Sequence, residues 1–460
     1  MSPEEFRKYG HQVVDWIADY FAHNGDYPVL PDVRPGFLRA QLPSHAPDRA
    51  EPMDQILADF DQYIIPGTTH WNHPRFLAYF SVTSSPPGVL AEMLTAALNV
   101  NHMLWKSCPS GTELEDITVD WVRQWLALPP EFFGMIHDTA STSTMHAIAA
   151  AREQADPEVR IHGGSRDLIL YTSEQAHSSV EKGAIAIGIG QRNVRKIAVD
   201  AAFRLKPHAL EGAIRDDRGK GLRPFCVVPT VGTTSTSSID PVPAVAEIAE
   251  RYSLWMHVDA AYGGNAAIVP EYASVLDGSG RADSLVMNPH KWMGTPIDLS
   301  LLFTRKPDVL RRAFSLVPEY LRTTEGDRVL NYMDYGVPLG RRFRALKLWF
   351  VMRAYGRDGL AGKIRSHIQW AHELAEQIAV HPDFEMCAPT PLSLVCFRKK
   401  GSDEENQRLL DRLNASGEMF LSHTVLGGRY VLRLAIGNYS TTRDDIQRVW
   451  TRIQELADQA

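Results

Sequence analysis

The stretch LWMHVDA, residues 254–260, indicates the fold of this chain. It is a short, mostly apolar run that ends in a polar turn, and similar runs occur at LILYT (168–172), FCVVPT (225–230) and SLVMN (284–288). Apolar runs of this length without strict alternation are typical of strands buried on both faces. Helical patterns separate several of them, and such alternation predicts an α/β fold with a mostly parallel sheet wrapped by helices.

The regions on either side of these runs differ from them. Residues 1–85 combine helical patterns with proline-rich connectors and carry little core, which predicts an N-terminal helical segment that packs on a partner subunit. The large α/β domain is expected over 86–360. LSLVCFR (392–398) and YVLRLAI (430–436) predict strands of a small C-terminal α+β domain over 361–460.

Composition excludes several classes of protein. The 460 residues have a net charge of -7, which argues against non-specific binding to nucleic acid because that requires a basic surface. The four cysteines show no CxxC spacing and indicate a reducing compartment. The polar N-terminus is no signal peptide, and every apolar run is too short to cross a membrane. A cytoplasmic protein without membrane contact is expected.

Motifs for metal and nucleotide binding are incomplete. His372 and Glu373 begin like the HExxH motif of zinc proteases, but Glu376 stands where the second histidine is required. His70 and His73 lack a third ligand in the sequence, and they are interpreted as loop or interface histidines. The phosphate-binding motif GxxxxGK[ST] and the hydrolase motif GxSxG are absent. No metal site is predicted.

Polar side chains follow the predicted strands where each one ends. Asp259 follows LWMHV, and Lys291 follows SLVM within NPHKW (288–292). His177 and the hydroxyl-rich turn GTTS (232–235) follow the other two runs. Taken alone, each has a plainer interpretation as a helix cap, a solvated charge, a structural histidine or a loop. Ligands of open α/β sheets bind where the carboxyl ends of strands meet, so the four together predict a site.

A hydroxyl-rich turn, HDTASTST (137–144), precedes the helical run MHAIAAAREQ (145–154). The start of a helix offers free backbone N–H groups and a positive dipole end, which together suit a phosphate. Pyridoxal phosphate requires such a cradle, a lysine amine for a Schiff base and a carboxylate for its pyridine nitrogen. The lysine must be desolvated, because an amine with a pKa near ~10.4 is otherwise protonated at neutral pH. The residues therefore predict pyridoxal 5'-phosphate as the cofactor.

The whole chain resembles group II pyridoxal-phosphate-dependent decarboxylases, most closely the aromatic-L-amino-acid decarboxylases. The resemblance is carried by PGTTHWNHPRFLAYF (66–80), TELE (112–115), SEQAHSSVEK (173–182), VGTTS (231–235), HVDAAY (257–262), NPHKW (288–292) and PLGRRFRALKLWFVMRAYG (338–356). It implies the fold-type I architecture of pyridoxal-phosphate-dependent transferases, with a mostly parallel seven-stranded sheet, an N-terminal helical arm and a small α+β domain. It also implies a homodimer with active sites at the subunit interface. The implied activity converts an aromatic L-amino acid of the tyrosine, dopa, phenylalanine or tryptophan class to its amine and CO2.

The resemblance implies roles for single residues. Lys291 would form the Schiff base, Asp259 would pair with the pyridine nitrogen, and His177 and Ala261 would contact the two faces of the ring. The other cofactor contacts would come from Thr139, Ala140, Ser141, Thr234, Asn288 and His290. The substrate pocket would be lined by Trp71, Tyr79, Phe80, Val82, Asn101, His102 and Met103, of which the last three would come partly from the neighbouring subunit.

The stretch 315–336 is polar and is expected to be an exposed loop. In the family this loop closes over the site, often from the partner subunit, and its tyrosine protonates the carbanion that remains after CO2 departs. Tyr332 aligns with that tyrosine, although Tyr335 lies close by and either residue has a plainer interpretation as a loop aromatic. Related aldehyde synthases carry phenylalanine there, or asparagine in place of the stacking histidine. Tyr332 and His177 therefore favour decarboxylation.

Departures from the family cluster in the substrate pocket. Asn101, His102 and Met103 stand where the animal enzymes have an apolar residue, a glycine and a phenylalanine, and Val82 replaces a threonine. A more polar and narrower pocket disfavours bulky indole substrates and suits a phenolic hydroxyl. Three alternatives stay open: an aromatic aldehyde synthase on the same scaffold, an acidic-amino-acid decarboxylase, and a non-catalytic protein that binds pyridoxal phosphate.

Overall fold

A seven-stranded sheet forms the centre of the chain. The computed structural model describes residues 1–164, 166–316, 325 and 328–458. The strands of the central sheet are β1 (Phe133–His137), β2 (Leu168–Ser173), β3 (Val194–Ile197), β4 (Arg223–Val228), β5 (Trp255–Asp259), β6 (Ser284–Met287) and β7 (Ser300–Thr304). Their order is β1-β7-β6-β5-β4-β2-β3, and only β7 runs antiparallel to its neighbours. The predicted mostly parallel seven-stranded sheet is confirmed.

Helices connect and cover these strands. In chain order they are α1 (Pro3–His23), α2 (Phe37–Gln41), α3 (Met53–Asp59), α4 (Pro86–Leu98), α5 (Pro109–Trp125), α6 (Ala140–Ala155), α7 (Val159–His162), α8 (Ser178–Ala186), α9 (Pro207–Gly219), α10 (Val242–Tyr252), α11 (Pro289–Trp292), α12 (Pro307–Phe314), α13 (Ala345–Val380), α14 (Asp403–Ala415) and α15 (Arg443–Asp458). One face of the sheet packs on α6, α8 and α12, and the other packs on α5, α9, α10 and the first part of α13. Each strand of the centre is therefore buried on both sides, which explains its uninterrupted apolar run.

Three strands of the sheet were missed in the sequence. β3 carries Arg195 and Lys196 at an edge of the sheet, where charged side chains reach water and no apolar run results. β1 occupies the opposite edge and includes Gly134, which faces Val119 and Phe303 so closely that a larger side chain would displace them. β7 is fully buried, but it lies outside the alternating helix–strand pattern because it pairs antiparallel with β6.

The C-terminal part forms a second sheet. Its strands are β8 (Phe384–Met386), β9 (Leu394–Lys399), β10 (Ser422–Leu426) and β11 (Arg429–Ala435), in the antiparallel order β10-β11-β9-β8. They share an apolar cluster with α14, α15 and the second part of α13. The predicted α+β unit is present. α13 runs across the expected boundary at residue 360 and bends at Gly356, where φ is 63°, so the exact division into domains stays a prediction.

The N-terminal helices pack loosely on the rest of the chain. α1 starts with the capping box of Ser2 and Glu5, and none of its residues is buried. Its contacts include hydrogen bonds from Trp16 Nε1 to Asp61 (2.8 Å) and between Tyr20 OH and His70 (2.9 Å). In the described part of the chain, no helix has both the length and the apolar character that a membrane crossing requires. No group of three or more His, Cys, Asp or Glu side chains is arranged there to hold a metal ion.

Candidate active site

Two neighbouring strands deliver the central pair of side chains. β5 ends at Asp259 and β6 ends at Met287, after which Asn288 leads into the short helix α11 with Lys291. The strands run parallel with Asp259 opposite Val286, so their carboxyl ends lie side by side. Asp259 is buried, and its Oδ1 accepts a hydrogen bond from the Ala261 amide at 3.1 Å. That bond fixes the orientation of the carboxylate at the strand end.

A cavity of about 190 Å³ lies at this edge of the sheet. All of the residues predicted for the cofactor line it: Thr139, Ala140, Ser141, His177, Thr234, Asp259, Ala261, Asn288, His290 and Lys291. Phe80, predicted for the substrate, lines it as well. Four further lining residues had no role of their own in the prediction: Ser179, Thr230, Gly232 and Tyr262. Each of these lies within a few residues of a strand end already singled out, and that position was the available signal.

One end of the cavity is built to bind an anion. Thr139 is the N-cap of α6, and its N–H donates to Asp138 Oδ1 at 2.7 Å. The amides of Ala140 and Ser141 belong to the first turn, where no intrahelical acceptor exists. These N–H groups and the positive end of the helix dipole therefore face the cavity, as a phosphate requires.

Two buried polar residues complete this end of the cavity. His290 Nδ1 accepts a hydrogen bond from the Leu299 amide at 2.9 Å, so the neutral ring carries its hydrogen on Nε2. Burial lowers the pKa of His290 to about 3, which keeps the ring neutral. Asn288 lies beside it, and its Oδ1 has no hydrogen-bond partner within the described residues. A buried amide with one unpartnered end fits a polar ligand in contact with it.

At the other end, His177 is held in a fixed orientation. It is the N-cap of α8, and its Nδ1 contacts both the hydroxyl (2.9 Å) and the amide (3.2 Å) of Ser179. Burial, and then the nearby Lys291, lower the pKa of the imidazole. A neutral, anchored ring at the rim of the cavity suits stacking against a flat aromatic ligand.

Lys291 has the electrostatics of a nucleophile. Burial lowers the pKa of its amine, while the charge of Asp259 acts in the opposite direction. Its Nζ lies 5.5 Å from the centre of the Phe80 ring, which is a weak attraction compared with a direct ion pair. A partly neutral amine attacks a carbonyl carbon more readily than a protonated one.

An aromatic column supports the cavity from behind. Phe80 stacks on Tyr262 at 3.7 Å between ring centres, and Tyr262 stacks on Trp292 at 4.6 Å. Trp292 Nε1 then donates to His367 Nδ1 at 2.9 Å, which ties the column to α13. Nothing in the sequence indicates this column, because its members, from Phe80 to His367, lie far apart along the chain and meet only in the fold.

The predicted substrate residues on the lysine side form an aromatic surface. Trp71 and Tyr79 are stacked 5.9 Å apart and are both exposed, next to the buried Phe80. Arg433 of β11 donates to the carbonyl of Tyr79 (3.5 Å), and it also holds the carbonyl of Thr234 (2.5 Å). Val82 is partly buried and does not line the cavity.

The other predicted substrate residues lie elsewhere, with Tyr332. Asn101 Oδ1 accepts from the Arg341 amide at 3.0 Å, and the Met103 carbonyl accepts from the Met333 amide at 3.2 Å. Tyr332 and Arg341 line a second cavity of about 260 Å³, whose lining shares no residue with the first. His102 is fully buried within its own chain, against Tyr332 and Glu115, and its role in a substrate pocket shared with the neighbouring subunit stays a prediction.

Tyr332 is also more buried than the sequence suggested. It begins a short 3-10 helix (Tyr332–Tyr335) and is 1% exposed, with Arg341 over its ring at 4.5 Å and Phe133 beside it. Burial raises the pKa of its phenol well above the usual value. The expected exposed loop is therefore wrong at Tyr332, because neighbouring segments cover the ring. Residues 317–324, 326 and 327 of that stretch lie outside the described residues.

Fold and site together define an enzyme class. A mostly parallel sheet whose carboxyl edge holds a desolvated lysine, a buried carboxylate, an anchored imidazole and a helix N-terminus fits pyridoxal phosphate. The chain belongs to the family described as "Pyridoxal-dependent decarboxylase conserved domain", which matches residues 35–400.

Proteins similar to this chain cover its full length. "Phenylacetaldehyde synthase" of Arabidopsis thaliana is 42% identical over 99% of this chain and 96% of its own. "Tyrosine decarboxylase 4" of Petroselinum crispum is 41% identical over 100% and 94%. The crystal structure "Oryza sativa TDC with PLP and tryptamine" superimposes with a TM-score of 0.96 at 35% identity, covering 100% of this chain and 99% of that one.

These findings bear on the expectations from the sequence. The family, the fold-type I architecture, the pyridoxal phosphate cofactor and the carboxy-lyase class are confirmed. Decarboxylation of an aromatic amino acid fits the relatives, and the aldehyde synthase alternative is also present among them at equal similarity. The individual residue roles are not tested by these likenesses, and they stay predictions.

Proposed function

We propose that this chain binds pyridoxal phosphate at Lys291 and decarboxylates an aromatic L-amino acid to its amine and CO2. The observation that carries the proposal is the single cavity that joins Lys291, Asp259, His177 and the N-terminus of α6. Relatives named for tyrosine decarboxylation and a neighbour solved with tryptamine support the substrate class. The exposed Trp71–Tyr79 stack offers an aromatic surface next to that cavity.

Each group of residues in the cavity has a separate proposed role in binding the cofactor. Lys291 supplies the amine that binds the cofactor, and the start of α6 with Asn288 and His290 would hold the phosphate. Asp259, which is buried, would keep a proton on the pyridine nitrogen, and His177 and Ala261 would contact the ring. Bound pyridoxal phosphate supplies a sink for the electron pair that is left on Cα when CO2 departs. The stacked Phe80 and Tyr262 exclude water from the lysine side.

The enzyme is proposed to be a homodimer whose sites are completed across the interface. The 21-residue helix α1 has no buried residue, and α4 exposes Leu90, Leu94 and Leu98 to solvent. Apolar faces of this size favour a partner of the same kind. Tyr332 and Met103 would then serve the Lys291 cavity of the partner, which accounts for their separation from the cavity of their own chain.

A cytoplasmic location is proposed as well. Cys108, Cys226, Cys387 and Cys396 are all free thiols, and three of them are buried. Unpaired thiols are typical of proteins in reducing compartments.

Tyr332 is proposed as the proton donor to Cα, which directs the reaction to the amine. If that proton were not delivered, O2 would take two electrons from the substrate and leave as hydrogen peroxide, and water would then release an aldehyde and ammonia. The similarity to a phenylacetaldehyde synthase makes this second outcome the alternative to test.

One panel of measurements tests the function. The purified protein is expected to absorb visible light from its bound cofactor, and Lys291→Ala is expected to lose that band. Tyrosine, dopa, phenylalanine, tryptophan and glutamate are then offered, and amine, CO2, ammonia and peroxide are measured. Turnover of glutamate alone, or ammonia equal to the CO2 released, would contradict the proposed reaction.

Mixing two defective variants tests the shared site. In hybrids of Lys291→Ala with Tyr332→Phe, one site has both an intact lysine and an intact partner tyrosine. If Tyr332 acts across the interface, equal mixing restores about a quarter of the native amine formation, because half of the random dimers are hybrids with one complete site. Absence of recovery in dimers shown to exchange subunits means that Tyr332 acts within its own chain or not at all.

A further inference from the structure

Two buried histidines lie between the cofactor-binding helix and the segment that carries Tyr332. His137 ends β1, and His146 lies in α6, one and a half turns after the N-terminus that lines the first cavity. Their rings are 4.5 Å apart and tilted by 34°. Neither has a place in the proposed chemistry, although both lie within a few residues of it.

The hydrogen bonds of His146 fix its protonation state. Its Nδ1 lies 2.7 Å from the Thr142 carbonyl, which only accepts, so Nδ1 must carry a hydrogen. Its Nε2 lies 2.9 Å from the Val337 amide, which only donates, so Nε2 must present a lone pair. Both bonds are satisfied only by the neutral ring with its hydrogen on Nδ1.

His146 contacts both borders of the segment 315–336. Its ring packs on Phe314, the last residue of α12, at 4.5 Å between centres. Its Nε2 accepts a hydrogen bond from the amide of Val337, the second residue after the Tyr332–Tyr335 helix. Gly336 lies so close that a Cβ added there would be 2.9 Å from His146 Nε2, closer than such contacts normally come. The imidazole therefore joins Phe314 and Val337 to one point on α6.

The same point is tied to the interior of the sheet. His137 Nδ1 lies 3.1 Å from Ser143 Oγ, which in turn lies 2.9 Å from Ser300 Oγ of β7. A shift of His146 would therefore disturb contacts of α6, β1 and β7. The pair forms a short polar path between the phosphate end of the cavity and the backbone that leads to Tyr332.

We propose that His146 is a positioning residue that, as the neutral imidazole, holds the Tyr332 segment in register with the cofactor-binding helix α6. Its effect on the reaction rests on the proposed role of Tyr332 as proton donor, whereas its effect on the segment does not. The bond to Val337 sets where the 3-10 helix ends. Loss of that bond leaves Tyr332 free to change its position relative to the site that it serves.

Protonation of His146 at low pH should break its hydrogen bond with the Val337 amide. A protonated His146 has hydrogen on both nitrogens, so Nε2 then opposes the Val337 amide. Burial lowers the pKa of His146, while the Thr142 bond and the charge of Asp138 act in the opposite direction. His137 faces it from β1 with Arg341 and Arg344 nearby, and the uncharged Phe314 packs on it from α12. The bond to Val337 is therefore intact at neutral pH and is lost as the pH falls.

Hydrogen exchange of the cofactor-loaded protein tests the positioning directly. His146→Leu removes the acceptor for Val337, and the amides of residues 331–337 are expected to exchange about tenfold faster, as loss of one hydrogen bond permits. His146→Gln retains an acceptor at similar reach and is expected to restore most of the protection. Strand β5 (Trp255–Asp259) serves as an internal reference that must not change.

A second pair of variants removes the donor instead of the acceptor. Val337→Pro lacks the amide hydrogen, while Val337→Ala keeps it and alters only an exposed side chain. The proline variant is expected to match His146→Leu, and the alanine variant is expected to match the native protein. Equal exchange of residues 331–337 in the native protein, His146→Leu and Val337→Pro would overturn the inference.

Product analysis separates this inference from the proposed function. If Tyr332 is the donor, His146→Leu raises the ratio of aldehyde to amine, while the visible absorbance of the cofactor is retained. If His146→Leu exchanges faster but forms the native products, and Tyr332→Phe also forms the native products, then Tyr332 is not the proton donor. The positioning role of His146 is retained in that case. If exchange is unchanged in His146→Leu but Tyr332→Phe forms altered products, then His146 does not position the residues around Tyr332. The role of Tyr332 as proton donor is retained in that case.

Discussion

The Lys291 cavity and the Tyr332 cluster differ in how the chain builds them. Around Lys291, side chains that follow successive strands meet because parallel strands end at one edge, and each lies within a few residues of its strand. Around Tyr332, residues from α5, β1 and the segments near 102 and 341 meet through long-range packing. The first arrangement is dictated by sheet topology, and the second depends on tertiary contacts that no local rule specifies.

The two regions also differ in their charge balance. Lys291 and Asp259 face a cavity where a ligand completes the charges. In the Tyr332 cluster the charges are paired internally: buried Glu115 accepts from Arg341 Nη2 at 2.6 Å and from the Ile136 amide at 2.8 Å. Substitutions in the first region should therefore affect chemistry, and substitutions in the second should affect stability and product choice.

The largest effect is expected at the lysine. Lys291→Ala removes the amine that binds the cofactor, and kcat is expected to fall by more than about 10³-fold with loss of visible absorbance. The unfolding free energy without cofactor should change little, because burial disfavours the charged amine and offsets its attraction to Asp259. A variant that kept both absorbance and turnover would show that another amine holds the cofactor.

Glu115→Ala is expected to be the most destabilising change in the second region. It leaves the buried guanidinium of Arg341 unpaired, which costs about 3–5 kcal/mol of unfolding free energy. Denaturant titration at neutral pH measures this cost. Glu115→Gln keeps the shape and an acceptor oxygen but removes the charge, and a Glu115→Gln variant as stable as the native chain would exclude the ion pair as the cause.

Tyr332→Phe tests whether a residue of the second region takes part in the chemistry of the Lys291 cavity. It removes a hydroxyl that has no hydrogen-bond partner within the described residues, so the fold should be unaffected. Amine formation is expected to fall by about 10²-fold, the usual contribution of a positioned proton donor, with aldehyde and peroxide replacing it. Tyr335→Phe is the control, and a larger effect from that variant would reassign the donor.

A smaller effect, on the unfolding free energy, is expected from His367, the buried histidine at the end of the aromatic column. Burial lowers the pKa of His367 to about 3, so the unfolded chain binds a proton below pH ~6.5 that the folded chain does not bind. Stability is therefore lost as the pH falls from about 6.5 toward 3, and His367 accounts for about 2 kcal/mol at pH 5. His367→Phe should flatten this dependence in denaturant titrations at pH 7 and pH 5. An unchanged slope would show that other groups cause it.

Much of the lysine site was predictable, and the reasons are local. Asp259, Asn288 and Lys291 lie at strand ends that are visible as apolar runs, and the sheet rule brings them together. Ser179 and Thr230 were missed, because a lone hydroxyl near a strand end is indistinguishable from an ordinary loop residue. The column from Phe80 to His367 was missed because stacking depends on the orientation of distant segments.

The sequence by itself determined four parallel strands of the sheet, the family and most of the residues at the carboxyl ends of those strands, because strand burial and helix starts leave local patterns. Only the tertiary structure decided that His102 is sealed from solvent, that Tyr332 is packed under Arg341, and that His146 joins Phe314 and Val337. The burial of these side chains depends on which segments, distant in the sequence, pack over them and exclude water. That exclusion is a property of the folded chain, and no short stretch of residues encodes it.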